Sequence, residues 1–291
     1  MSETVLPTFL VIGPPKSGTT WLTWHLGHHP QVFLPMQEPH FFDKDENYKK
    51  GLGWYGDFFS GANGKSAIGE KTPNYLGGWG DSDGCRIPER IAKVIPDVRM
   101  IAVLRNPVER AISDINHCVR TGRLGVFSSA DRLILSRREQ LEELGVLSRG
   151  RYARWLEAYF GEFRREQILV LFYEDDVVAD PLRGLEKVCD FLDIDATAMM
   201  PNKDPRTSIN KTPQENMLAY RVGRRISKIV PALKDPLRRS RNAVGRILPG
   251  AKKYPSAAGL RELYRHYQEE NERLSELMGY VPSAWKIDTK S

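Results

Sequence analysis

Short, continuously apolar runs alternate with amphipathic stretches along this chain. Residues 8–13 (TFLVIG) lead into a turn rich in Gly, Pro, Ser and Thr, and then into a helical pattern over residues 19–28. Residues 99–105 (RMIAVLR) repeat the arrangement, with a turn at Asn106-Pro107 and a helix to about residue 119. A third run, residues 168–173 (ILVLFY), follows an amphipathic helix predicted at 152–165 and precedes another at 181–192. Apolar runs without polar alternation are strands buried on both faces, and strands alternating with helices predict a parallel sheet covered on both sides. The expected fold class is therefore α/β, a three-layer arrangement with a central parallel sheet flanked by helices. A last amphipathic helix, at 257–278, is expected to pack back on the core. Residues 201–255 are turn-rich and basic and carry no firm element. With no internal repeat and no low-complexity linker, residues 1–291 read as a single domain.

Composition narrows the class of protein without naming it. Apolar residues are 41% and charged residues 27% of the 291, which excludes a disordered tail, a collagen-like fibre and a coiled coil. The longest apolar runs, such as 9–13 and 100–104, fall far short of the roughly 20 residues needed to cross a bilayer. The start, Met1-Ser2-Glu3-Thr4, has neither a basic nor an apolar leader, and Cys85, Cys118 and Cys189 are scattered without CxxC spacing. A cytoplasmic location with reduced, structural thiols is expected. Net charge is +6 but local: eleven Lys and Arg against Asp235 alone give residues 221–253 a charge of +10, leaving −4 on the rest. This segment is either a solvated basic loop or a grip for an anionic partner. Within it, residues 218–230 (LAYRVGRRISKIV) have near-helical apolar spacing and a basic opposite face. They fit a helix of the fold, a peripheral contact with an anionic membrane, or a surface for an acidic acceptor.

The chemistry is concentrated in the loop Gly13-Pro14-Pro15-Lys16-Ser17-Gly18-Thr19-Thr20. It matches the nucleotide-triphosphate loop GxxxxGK[ST] at both glycines and at the closing hydroxyl, so a P-loop-NTPase-like fold is expected. Thr19 stands where that loop has its lysine, and the lysine lies three residues earlier at Lys16. Backbone amides and the following helix start can still cradle a phosphate. The group that reaches the β- and γ-phosphates of a triphosphate is missing, so a phosphorylated ligand other than ATP is expected.

The stretch Pro14-Pro15-Lys16-Ser17-Gly18-Thr19-Thr20-Trp21-Leu22 resembles the 5′-phosphosulfate loop of sulfotransferases that use 3′-phosphoadenosine-5′-phosphosulfate (PAPS). Arg105-Asn106-Pro107-Val108-Glu109-Arg110-Ala111-Ile112-Ser113-Asp114 is similar to their 3′-phosphate signature, and each motif follows a predicted strand and opens a helix. Gln37-Glu38-Pro39-His40-Phe41-Phe42-Asp43, Gly51-Leu52-Gly53-Trp54-Tyr55 and Gly69-Glu70-Lys71-Thr72-Pro73-Asn74-Tyr75 resemble the heparan sulfate 3-O- and N-sulfotransferase branch. Lys252-Lys253-Tyr254-Pro255, followed by a long helix and Trp285, is similar to the C-terminal phosphate loop of the N-sulfotransferases. The resemblance covers residues 8–125 and 150–195 well and 250–285 loosely. Those relatives are membrane-anchored and carry a disulfide in their C-terminal part; this chain shows no anchor and has no cysteine after Cys189. It looks like a soluble, bacterial-type member, and the acceptor does not carry over.

The resemblance implies the site. Pro15, Lys16, Ser17, Gly18, Thr19, Thr20 and Trp21 would hold the 5′ end of PAPS, with Lys16 stabilising charge on the leaving phosphate. Arg105 and Ser113 would bind the 3′-phosphate, and Lys252 or Lys253 would close over it. Glu38 is the expected general base, best served by burial that lifts its pKa toward neutrality. His40 is the second candidate base, with a supporting role behind Glu38 preferred. Lys71 is expected at the sulfonate or acceptor pocket with Glu70 as a candidate ion-pair partner, and Trp79 is a candidate for stacking on a sugar. No metal and no nucleic-acid partner are called for, and the acceptor is an unidentified hydroxyl or amine compound, a sugar or glycolipid among the candidates. On the residues alone two alternatives stay open: a nucleotide kinase or NTPase, opposed by Thr19 in the lysine slot, and a non-catalytic polyanion-binding protein.

Overall fold

A computed structural model describes residues 4–78, 86–125, 128–198 and 254–285. The first strand, β1 (Phe9–Gly13), is buried at every position. Its side chains divide between two cores: Leu10 and Ile12 enter one apolar cluster, Phe9 and Val11 another. A strand wedged between two helical layers has no polar face, which is why the run reads as continuously apolar.

Around β1 lie β2 (Val32–Phe33), β3 (Ala67–Lys71), β4 (Arg99–Leu104) and β5 (Ile168–Phe172). They form one sheet in the order β2-β3-β1-β4-β5, with every pairing parallel. One face is covered by α4 (Arg86–Val94) through Ile87 and Ile91, and by α7 (Tyr152–Glu162) through Tyr152, Trp155 and Tyr159. The other is covered by α1 (Thr19–Leu26) through Trp21, Leu22 and Leu26, and by α8 (Pro181–Leu192) through Leu185, Val188 and Leu192. The short α2 (Asp45–Tyr48) and α3 (Gly51–Gly56) lie between β2 and β3 in the chain. A third cluster joins α5 (Pro107–Thr121), α6 (Arg138–Glu143) and the last helix, α9 (Ala257–Met278), through Ile115, Leu141, Leu263 and Tyr267.

The three expected strands and the helices after them are present. The helix predicted at 152–165 stops at Glu162, because Phe163 turns extended and enters the core. α5 begins where the turn chemistry asks: Asn106 Oδ1 accepts the amides of Val108 and Glu109, and Pro107 occupies the first helical position. Trp79, Cys85, Lys252, Lys253 and the basic stretch of 221–253 lie outside the described residues.

Candidate active site

Five parallel strands share one carboxyl edge, and the connections leaving β1, β3, β4 and β5 meet along it. The loop after β1 is held from both sides. Gly13 has φ +119 and packs so tightly on the turn after β3 that a Cβ there would lie 1.9 Å from the Pro73 carbonyl oxygen. Gly18, φ +100, faces the Tyr173 ring at the end of β5, where a Cβ would lie 2.7 Å from a ring carbon. Between them Lys16 adopts φ +74, Pro15 is half-buried and Ser17 is fully buried. Gly18 is the N-cap of α1 and brings no side chain to its first turn, so that turn presents amides to whatever anion the loop receives. Thr19 is buried and Thr20 exposed. Trp21, expected among the cofactor residues, places its side chain in the core beneath the loop, and its amide bonds to the Gly18 carbonyl.

Cations crowd this loop. Arg105, at the end of β4, donates from Nη1 to the Lys16 carbonyl at 3.3 Å and stacks over the Tyr173 ring at 5.1 Å. Burial first, and then the Arg120 and Arg105 guanidiniums, hold the Lys16 ammonium below the usual lysine range, with only partial relief from Asp114. Ser113, His117 and Arg120 follow one another at helical spacing on α5, and Arg120 Nη2 lies 3.2 Å from His117 Nδ1. Burial and the Lys16 charge push the His117 imidazole down to about 4, so it is neutral at pH 7. A positive charge destabilised by its neighbours is one that an anion relieves. The donor set of Lys16, Arg105, Ser113 and an uncapped helix start therefore fits a doubly phosphorylated ligand. His117 and Arg120 were missed in the sequence, although their spacing from Ser113 marks the same helix face.

A second charged group surrounds Glu38. Lys71 Nζ, at the end of β3, lies 2.6 Å from Glu38 Oε1, and His40 Nε2 lies 3.5 Å from Glu38 Oε2. His40 Nδ1 in turn bonds Asp43 Oδ2 at 2.8 Å. Burial raises the Glu38 pKa, but the bonds from His40 and Lys71 outweigh it and leave the carboxyl below its ordinary value. The expected upward shift is thus reversed: Glu38 is ionised throughout the neutral range. Burial opposes the His40 cation, yet Asp43 and Glu38 lift it to about 9, so His40 is a charged donor rather than a free base.

Glu70 does not pair with Lys71, because successive strand residues point to opposite faces. Its carboxyl is fully buried among Tyr55, Tyr75 and Thr72; Thr72 Oγ1 donates to Oε1 at 2.8 Å, and Tyr55 donates its hydroxyl to Oε2. Burial pushes it up to about 7 against those hydroxyl bonds. The hydroxyls also fix the Glu38 loop: Tyr75 Oη accepts the amides of Phe41 (3.0 Å) and Phe42 (3.3 Å), and Thr72 Oγ1 accepts that of His40 at 3.4 Å. Asn47 Nδ2 donates to the carbonyls of Pro39 and His40, and Arg90 to that of Phe42. Among the described residues no group of three or more His, Cys, Asp or Glu could hold a metal ion.

A phosphate loop followed by a helix, at the carboxyl edge of a parallel sheet, defines the P-loop-NTPase-like fold class, here with its cation displaced to Lys16. Residues 6–228 match the family model of the sulfotransferase domain, and the chain belongs to that family. It is 34% identical over 189 residues to mouse (Mus musculus) heparan sulfate glucosamine 3-O-sulfotransferase 3B1, covering 64% of this chain and 46% of that protein. It is 36% identical over 119 residues to human bifunctional heparan sulfate N-deacetylase/N-sulfotransferase 2, covering 38% and 13%. The chain thus spans less than half the length of these relatives. Among solved structures, a sulfotransferase from Alicyclobacillus acidocaldarius superposes with a TM-score of 0.68 at 22% identity, covering 97% of this chain and 99% of that one. Mouse sulfotransferase SULT7A1 complexed with PAP gives 0.52 at 16% identity, covering 94% and 89%. Among the described residues no helix is long and apolar enough to cross a membrane.

Proposed function

We propose that this chain transfers the sulfonate group of PAPS to a hydroxyl or amine of a carbohydrate-containing or other small-molecule acceptor. The observation that carries the reading is the pairing, along one sheet edge, of a cation-rich phosphate loop with a carboxylate held ionised by Lys71 and His40. PAPS brings a sulfonate bonded to a good leaving group, the 5′-phosphate. In the transfer the bond from sulfur to that phosphate oxygen breaks as the acceptor oxygen or nitrogen bonds to sulfur, and the acceptor proton passes to Glu38. Lys16 and the first-turn amides of α1 meet the charge that develops on the departing phosphate. Arg105 and Ser113 take the 3′-phosphate, which distinguishes this donor from ordinary adenylates. Lys71 orients Glu38 and neutralises its neighbourhood, while His40, tied to Asp43, fixes the second carboxylate oxygen. With its pKa already low, Glu38 works as an aligned proton acceptor rather than as a strong base, and positioning carries more of the rate.

Because relatives are named as heparan sulfate sulfotransferases, glycosaminoglycan-type sugars are the acceptors to screen first. A cytoplasmic location belongs to the same reading, and the buried free thiols Cys118 and Cys189 suit a reducing compartment. The test is calorimetric titration, without metal, of 3′-phosphoadenosine-5′-phosphate (PAP), 5′-AMP and ATP. Micromolar binding of PAP that is lost with its 3′-phosphate is the expected result and opens an acceptor screen with labelled PAPS. Preference for ATP would turn the assignment toward a kinase, and binding of polyanions without any nucleotide toward a non-catalytic protein.

A further inference from the structure

We propose that Glu109 is a counter-anion that competes with the donor's 3′-phosphate for Arg105 and so sets how tightly the bisphosphate product is held. The inference rests on the PAPS reading above and concerns a residue to which that reading gives no role.

Glu109 lies in the first turn of α5, four residues after Arg105. Two neutral groups fix the Arg105 guanidinium: the Lys16 carbonyl on Nη1 and the Tyr173 ring beneath its plane. The Nη2 end faces Glu109 Oε2 at 3.6 Å. That separation exceeds hydrogen-bond reach, so the pair is an exchangeable ion contact rather than a locked fork. Helix capping does not explain the carboxylate, since Asn106 Oδ1 already accepts the amides of Val108 and Glu109. It is instead held from its other side. Tyr254, on the approach to α9 and 145 residues away in sequence, donates its hydroxyl to Glu109 Oε1 at 3.0 Å.

A phosphate monoester carries between one and two negative charges near pH 7. Seated on Arg105, it would lie within a few ångströms of the Glu109 carboxylate, and Nη2 would exchange one anion for the other. When the nucleotide leaves, Glu109 takes Arg105 back, so the emptied site is not left with an uncompensated cation. The carboxylate therefore weakens PAP binding and speeds its departure, and product release limits turnover in many enzymes. The side chain of Glu109 is 39% exposed, so solvent screens the repulsion and the expected effect is modest, about threefold to tenfold in affinity.

The experiment is titration of wild type, Glu109→Gln and Glu109→Lys with PAP and with 5′-AMP at two salt concentrations, alongside thermal unfolding. Glu109→Gln is expected to tighten PAP about threefold to tenfold, with 5′-AMP unchanged and the gain shrinking at high salt. Glu109→Lys is expected to tighten PAP further while lowering Tm, since it places a cation at a helix N-terminus. A merely structural role would move affinity and Tm in the same direction. If wild type prefers PAP over 5′-AMP and Glu109→Gln leaves PAP binding unchanged or weaker, the counter-anion role is overturned and the donor reading survives. If wild type does not distinguish PAP from 5′-AMP, the donor reading falls and this inference with it.

Discussion

At the scale of single residues, the cations around Lys16 and the group around Glu38 are expected to respond differently to substitution. Lys16 is destabilised as a cation by burial and by Arg120, so an anion on the loop gains more from it than from a solvated lysine. Lys16→Ala is expected to abolish detectable sulfonate transfer and to weaken PAP binding. The charged partners of Glu38 are Lys71 and His40. Glu38→Gln should therefore cut turnover by about 10²–10⁴-fold with PAP affinity nearly intact, read by labelled PAPS turnover beside calorimetry. Near-normal turnover across pH in that variant would remove Glu38 from the proton path. His40 gives a pH signature of its own. Its folded pKa of about 9 lies above the roughly 6.5 of a free histidine. The raised value means its contribution to stability is whole below about pH 6.5 and is lost as pH rises through 9. An NMR titration should show one imidazole ring titrating near 9, and unfolding free energy should decline between pH 7 and 9. His40→Gln should flatten that decline.

At the scale of elements, β3 shows how the site is fastened and why sequence reading found only part of it. The turn after β3 presses on Gly13, whose positive φ and absent Cβ let β1 enter the loop. Gly13→Ala is expected to destabilise the fold by more than about 2 kcal/mol in urea unfolding and to weaken PAP binding in parallel, because the clash is with backbone rather than a movable side chain. β1, β4 and β5 were legible as strands because each carries an unbroken apolar run. β3 was not, since its AIGEK sequence places Gly69 and Glu70 inside the sheet. Both exceptions have tertiary causes. A Cβ on Gly69 would fall 2.1 Å from the Phe9 ring of the next strand, and Glu70 is tolerated because hydroxyls from Tyr55, Thr72 and Tyr75 surround it. The two phosphate motifs put Lys16 and Arg105 just after predicted strands, whereas Glu38 and Lys71 were expected only from the family resemblance, with no strand to position them. Who pairs with whom was not legible: Lys71 turns to Glu38 rather than to its neighbour Glu70, a choice fixed by strand alternation once β3 is known.

At the scale of the whole molecule, the sheet and the third cluster are joined by charge as well as by packing. Asp114 on α5 is almost wholly buried, and its Oδ2 accepts from Arg110 at 3.1 Å and from Arg149 at 3.2 Å. Arg149 Nε reaches the Gly78 carbonyl beyond β3, Arg110 reaches the Val146 carbonyl, and Tyr267 of α9 donates to the Leu147 carbonyl. One carboxylate thus holds two guanidiniums that tie α5, the turn before α7 and the chain after β3 together. Burial works against the charge, yet Arg110 and Arg149 keep Asp114 below its usual pKa. Removing that anion leaves two buried cations facing each other, whereas removing Arg149 leaves a balanced Arg110–Asp114 pair. Asp114→Asn is therefore expected to destabilise the protein by about 3–5 kcal/mol, and Arg149→Met by clearly less, in matched urea titrations. Equal losses would mean that the packing of Arg149 against Gly77 and Gly145 dominates over its charge. Because Ser113 and His117 flank Asp114 on the same helix, the Asn variant should also loosen its hold on PAP while the Met variant keeps it. That difference separates a scaffold that merely stabilises the site from one whose charge balance sets the site's geometry.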